Sequence, residues 1–259
     1  MNAGNLIWII ILLAAAGFYL LKIKTSIRQK TLFLVALALI CLSVATPFAD
    51  FAAHGLFSAY ITQQSILYLV VPPFLILGVP EEWLRPLLWH NGFKKVLQFL
   101  TYPWMTAILF NVGFSVFLLP FIFNPVHGHP LIEGLCEFVL FGFAILMWWS
   151  ILSPLQEFNP LSQLQRIFYI FITAIMLTPI AFIMLFANHV LYPEYANIPD
   201  AFSYLTPMYD QQIAGGILKS FQLTAYGIEL GVIILEWVRQ EKEEERSKDN
   251  KVVSFKKIH

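Results

Sequence analysis

The chain has 259 residues, of which 58% are hydrophobic and only 12% charged, with a mean hydropathy of +0.70 and no formal net charge. A soluble domain carries about 25% charged residues, so this composition excludes an ordinary water-soluble globule and points to an all-α polytopic membrane protein. The two cysteines, Cys41 and Cys136, lie inside apolar runs, which argues against a disulfide framework or a cysteine metal site.

A helix crosses the hydrocarbon core with about 20 mostly apolar residues. Seven stretches meet that length: residues 5–21, 31–48, 55–79, 101–123, 131–152, 167–191 and 210–238. The first has its basic residues after it, not before, which predicts an uncleaved span instead of a signal peptide. The third begins near His54 and carries Pro72-Pro73 in its second half, which predicts a kink. Residues 1–238 thus read as one seven-helix membrane domain and residues 239–259 as a charged cytoplasmic tail, a helical extension that frays into a solvated, disordered end.

Lys22, Lys24, Arg28 and Lys30 lie between spans one and two, Arg85, Lys94 and Lys95 between three and four, and Arg166 between five and six. Seven more, from Arg239 to Lys257, follow span seven, while the alternate loops near 49–54, 124–130 and 192–209 hold no Lys or Arg. The positive-inside rule then predicts an N-terminus outside and a C-terminus in the cytoplasm.

On that topology His54, His127, His129 and His189 fall at the outer face, with Glu133, Glu137 and Asp210 beside them. Imidazole suits copper and zinc, and the thioether of Met208 favours Cu(I), so His54, His127, His129, Glu133, Asp210 and Met208 form a candidate metal set. His129, Glu133 and Glu137 repeat every four residues and could form one helical stripe. Solvated loop histidines are the bland alternative. Tyr60, Gln64 and Tyr68 make a polar stripe on span three, expected to hydrogen-bond between helices or to line a wet cavity.

Lys219 sits near mid-depth of span seven, where a lone charge is expensive. Glu137 lies at a similar depth and is the expected partner, with snorkelling as the alternative. A retinal Schiff-base lysine would need a carboxylate counter-ion, and span three has none. In "MYDQQIAGGILKSF", Asp210 is expected to cap the start of span seven, Gln211 and Gln212 to bond to neighbours, and Gly215-Gly216 to allow close packing. No HExxH or G-x-S-x-G frame occurs, so an enzyme is not expected; Glu81, Glu82, Arg85 and His90 read as a solvated amphipathic loop.

"YDQQIAGGILK" resembles the DQQ-x-x-GG signature near the last span of CtaG-like membrane proteins, assembly factors for bacterial heme–copper cytochrome c oxidase. "HGLFSAYITQQSILYLVVPPFLILGVP", "FAILMWWSILSPL", "LSQLQRIFYIF" and "LTPIAFIMLFA" are similar to that family's blocks and follow the same order, from about Asp50 to Glu236. The resemblance implies a multi-pass protein of the bacterial plasma membrane, with oxidase subunits and the lipid bilayer as partners, no nucleic acid, and copper as the cofactor often inferred. Two positions depart from the family pattern: Tyr60 and Glu133 stand where histidines are common, while His54 and Asp210 are kept. Phenol and carboxylate are poorer Cu(I) ligands than imidazole. A transporter or channel for a small solute or cation, with Glu137, Lys219 and the span-three stripe along its path, is the alternative.

Overall fold

Long apolar runs bounded by Ser, Thr and Pro give helices whose starts are written into the sequence. The computed structural model describes residues 3–88, 101–153, 155 and 161–256. Helix α1 spans Ala3–Lys22 and α2 spans Ile27–Val44, with Ser26 accepting the Gln29 amide as N-cap. Thr46 caps the short α3, Pro47–His54, so His54 belongs to a separate helix and not to the third span. That span runs Phe57–Gly78 as α4 (Phe57–Ser65), a π-helical turn (Ile66–Val70) and α5 (Val71–Gly78). Helix α6 covers Glu81–Leu88.

The predicted single span 101–123 is instead two helices, α7 (Pro103–Phe117) and α8 (Pro120–His127), bent by 72°. Pro120 explains the break, because it lacks an amide hydrogen and its ring resists continuing α7. Helix α9 is Pro130–Leu152 and α10 is Gln163–Leu185, the latter opened by a capping box between Ser162 and Gln165. The chain beyond Leu185 was expected to stay helical to 191, but it turns irregular after Phe186, with short 3-10 turns at Pro193–Tyr195 and Asp200–Phe202. Helix α11 then runs unbroken over Pro207–Lys256, so the tail expected to fray stays helical as far as Lys256. Among the described residues six helices or spans are long and apolar enough to cross a membrane, seven if the bent α7–α8 pair counts as one. No strand occurs among the described residues.

Where the paired prolines predict a kink, the structure has a π-helical turn and a specific partner for the carbonyl they free. Tyr68 would normally give its carbonyl to the amide four residues on, or five on in a π turn, but those positions are Pro72 and Pro73. Trp148 Nε1 of α9 donates to that freed carbonyl at 3.1 Å. Trp148 and Tyr68 are both fully buried and belong to the central core with Phe110, Phe114 and Tyr169. Helix α11 packs along α10 and α4, α2 along α5, and α7 against both α9 and α10. Helix α1 lies outermost on α2, pinned where Tyr19 stacks on Phe33 at 3.9 Å and donates to the Gly78 carbonyl at 2.6 Å.

Candidate functional site: a laced polar end

One end of the bundle gathers α3, the start of α4, the end of α8, the start of α9, the 186–206 segment and the start of α11. The Asp-Gln-Gln triplet ties these together. Asp210 is only 1% exposed, and its carboxylate accepts the Phe57 amide at 2.7 Å and the Ser58 amide at 3.3 Å. These are orphan amides at the start of α4, so Asp210 caps a different helix from the one expected. Leu56, the N-cap residue of α4, has no side-chain oxygen to do the job itself. Gln211 accepts from the Leu191 amide at 2.8 Å and donates to the His189 carbonyl at 2.7 Å. Gln212 donates to the Ala187 carbonyl at 2.9 Å. The two glutamines therefore satisfy backbone that leaves the helical pattern after α10, which is tolerated near lipid only where it finds partners.

Gly215 makes the approach possible. A Cβ there would stand 2.6 Å from the Ala181 carbonyl oxygen and 2.7 Å from the Leu185 amide nitrogen of α10. Gly216 differs, since its nearest neighbour would be the Leu185 side chain at 4.0 Å.

Beneath this lacing lies an aromatic box. Phe57 stacks on Tyr192 at 3.8 Å, Phe123 stacks on His127 at 4.9 Å, and Tyr195 lies 5.2 Å from His127. The Tyr192 hydroxyl donates to the Leu118 carbonyl at 2.7 Å and that of Tyr195 to the Ala52 carbonyl at 3.0 Å. Burial pushes both phenols well above their ordinary range, helped at Tyr195 by the charges of Glu133 and Glu137. Both therefore stay neutral donors. Sequence reasoning missed these two tyrosines because they lie in an irregular segment; the signal was an aromatic pair in "LYPEY".

The acids and the imidazole sort into two units. His127 Nδ1 meets Glu133 Oε1 at 2.6 Å, while its Nε2 faces the Ala53 carbonyl at 3.2 Å. Both ring nitrogens are thus placed against oxygen acceptors, the arrangement that suits a doubly protonated ring beside a carboxylate. Glu137 accepts from the Tyr60 hydroxyl at 2.9 Å and the Gln64 amide at 2.5 Å, and Tyr68 donates to its backbone carbonyl at 3.4 Å. The span-three stripe is an interhelical clamp on Glu137.

The expected Glu137–Lys219 pair does not form. Lys219 faces α10, bonding to Thr178 at 2.6 Å and to Gln222 of its own helix at 2.9 Å, whereas Glu137 faces α4. The expected stripe of His129, Glu133 and Glu137 also differs: His129 is the exposed N-cap residue of α9, and His127 takes its place beside Glu133.

Of the candidate metal set, only His127 and Glu133 are brought into contact. His54 is exposed with Nδ1 3.3 Å from the Asp50 carbonyl, Asp210 is committed to amides, and Met208 sits half-buried in the first turn of α11. Among the described residues no three His, Cys, Asp or Glu side chains are grouped to hold an ion. The donors present do not converge on one point, so they do not fit a resident copper centre in this arrangement. In the amphipathic segment, Arg85 pairs with Glu81 one turn away, both exposed. His90, Lys94, Lys95 and Lys257 lie outside the described residues.

Among the described residues the chain is an all-helical bundle whose apolar helices are long enough to cross a membrane, closed at one end by hydrogen-bonded side chains, the class of a helical membrane protein. The model of the cytochrome c oxidase caa3 assembly factor family, Caa3_CtaG, matches residues 8–240, and the chain belongs to that family. Comparisons with curated proteins and with solved structures give no match.

Proposed function

We propose that this protein assists assembly of a heme–copper cytochrome c oxidase in a bacterial plasma membrane, without turnover of its own, by presenting its laced polar end at the outer face to oxidase subunits. The family match over residues 8–240 carries the reading. The charge pattern supports the sidedness, because the basic residues cluster at the opposite end from His54, His127, His129 and His189. The geometry supports a rigid docking end: its ionisable groups Asp210, Glu137 and His127 are each held by fixed partners. Copper enters only as cargo, met by ligands that include a partner's own, since His127 and Glu133 supply at most two donors.

A deletion strain tests the role. Loss of assembled oxidase, measured as holoenzyme by heme spectroscopy of membranes, is the expected result, with restoration by the wild-type chain. Normal oxidase combined with a defect in solute uptake would overturn it in favour of transport. Labelling of single cysteines at 127–129 tests the sidedness: reagent reaching them only from the cytosol would reverse the assigned face.

A further inference from the structure

At the other end of the bundle a cavity of about 580 Å³ opens between α2, α5, α9, α10 and α11. That volume lies in the range of small-molecule sites. Its lining changes character along its length. Leu69, Trp148 and Phe221 form an apolar floor toward the middle of the bundle. Arg28 and Arg166 line it from the first turns of α2 and α10, with Glu229 and Glu236 from α11. Phe221 and Glu236 are fifteen positions apart on one helix, about 22 Å at 1.5 Å per residue. That is a large fraction of the roughly 30 Å hydrocarbon thickness.

The four charges at the mouth sum to zero, two of each sign. Glu229 is only 8% exposed; the charges of Arg166 and Glu236 reach it, but no described Lys or Arg lies within ion-pair distance of it. The Arg166 Nε is buried with no hydrogen-bond partner. An unpaired buried donor and a nearly buried acid facing one cavity are expensive unless something completes them. No His, Cys or Met lines the space, so the chemistry does not favour a ligated metal macrocycle.

We infer that this cavity is a binding site for a zwitterionic amine phospholipid, with one acyl chain on the apolar floor, the phosphate at Arg28 and Arg166, and the ammonium at Glu229 and Glu236. A guanidinium pair matches phosphate geometry, and a primary ammonium supplies three donors to carboxylates. A purely anionic headgroup would satisfy the arginines but confront both acids.

The test uses the full chain reconstituted in nanodiscs of equimolar phosphatidylethanolamine and phosphatidylglycerol, then released for native mass spectrometry. The expected result is retention of about one phosphatidylethanolamine per chain in preference to phosphatidylglycerol. Arg166→Gln should cut that retention about tenfold, the scale of one charge-assisted hydrogen bond. Glu236→Gln, at an exposed position, should keep the fold and shift preference toward phosphatidylglycerol. Ala225→Trp, which fills the apolar part while leaving all four charges, should lower retention of both lipids; size-exclusion profiles establish that each variant is folded. Equal retention of both lipids by the wild type, or a folded Ala225→Trp that still holds phosphatidylethanolamine, overturns the proposal. Competition by inorganic phosphate without lipid specificity would do the same, by showing a simple anion site.

Discussion

The two ends of this bundle solve the problem of polar groups near lipid in opposite ways. At the histidine-bearing end, Asp210, Gln211, Gln212, Glu137 and His127 all find protein partners at hydrogen-bond distance. At the basic end, Arg166 and Glu229 line a cavity of about 580 Å³, with the Arg166 Nε left without a partner. The buried groups left over at the first end are neutral amide oxygens, Gln64 Oε1 and Asn124 Oδ1, whereas at the second it is a charged guanidinium, the costlier group to leave open. The first end is thus a fixed surface, and the second a receptacle.

The contrast can be broken most forcefully at Gly215. Gly215→Leu should abolish folded protein, because the new side chain begins 2.6 Å from backbone of α10, which cannot rotate away. Gly216→Ala should be tolerated, since its nearest neighbour would be a side-chain methyl at 4.0 Å. The yield of monodisperse protein after detergent extraction reads both. Next, Glu137→Ala strands the Tyr60 hydroxyl and the Gln64 amide together. Interhelical hydrogen bonds in membranes average about 0.6 and reach about 1.7 kcal/mol, so a loss of roughly 1–3 kcal/mol is expected. Glu137→Gln, which keeps an acceptor oxygen, should lose less; thermal unfolding in detergent compares the two.

Asp210→Ala should follow at about 1–2 kcal/mol, the usual worth of an N-cap, and Asp210→Asn should recover most of it. Trp148→Phe leaves the Tyr68 carbonyl bare and should destabilise by about 1 kcal/mol. Smallest is Lys219→Met, whose partners Thr178 and Gln222 are neutral and survive without it. Combined with Glu137→Ala, it should show a coupling energy near zero in a double-mutant cycle. A coupling above about 1 kcal/mol would restore the ion pair that the structure replaces.

Sequence periodicity and composition carried the helices well, because apolar length is a local property. The span boundaries failed where proline acts, at Pro120, and where the segment after Phe186 relies on distant glutamines. Gln211 and Gln212 do bond to neighbours and Gly215 is a close-packing position, as polar amides and a glycine beside lipid imply. Direction is what residue order does not carry: Asp210 caps α4 and not its own helix, and Glu137 turns away from Lys219, since sequence depth along a helix says nothing about which face turns to which neighbour. The aromatic box was invisible for the same reason, as Tyr192 and Tyr195 come from an irregular segment with no periodicity.

The cap on α4 has a consequence for biogenesis. Phe57 and its stabilising carboxylate are separated by 153 positions in the chain. A nascent polypeptide that stops short of residue 210 cannot complete the entry to its third span, however long it waits in the bilayer. Closure of that entry is therefore a late event in synthesis, and a product truncated before residue 210 would carry those two amides without their carboxylate.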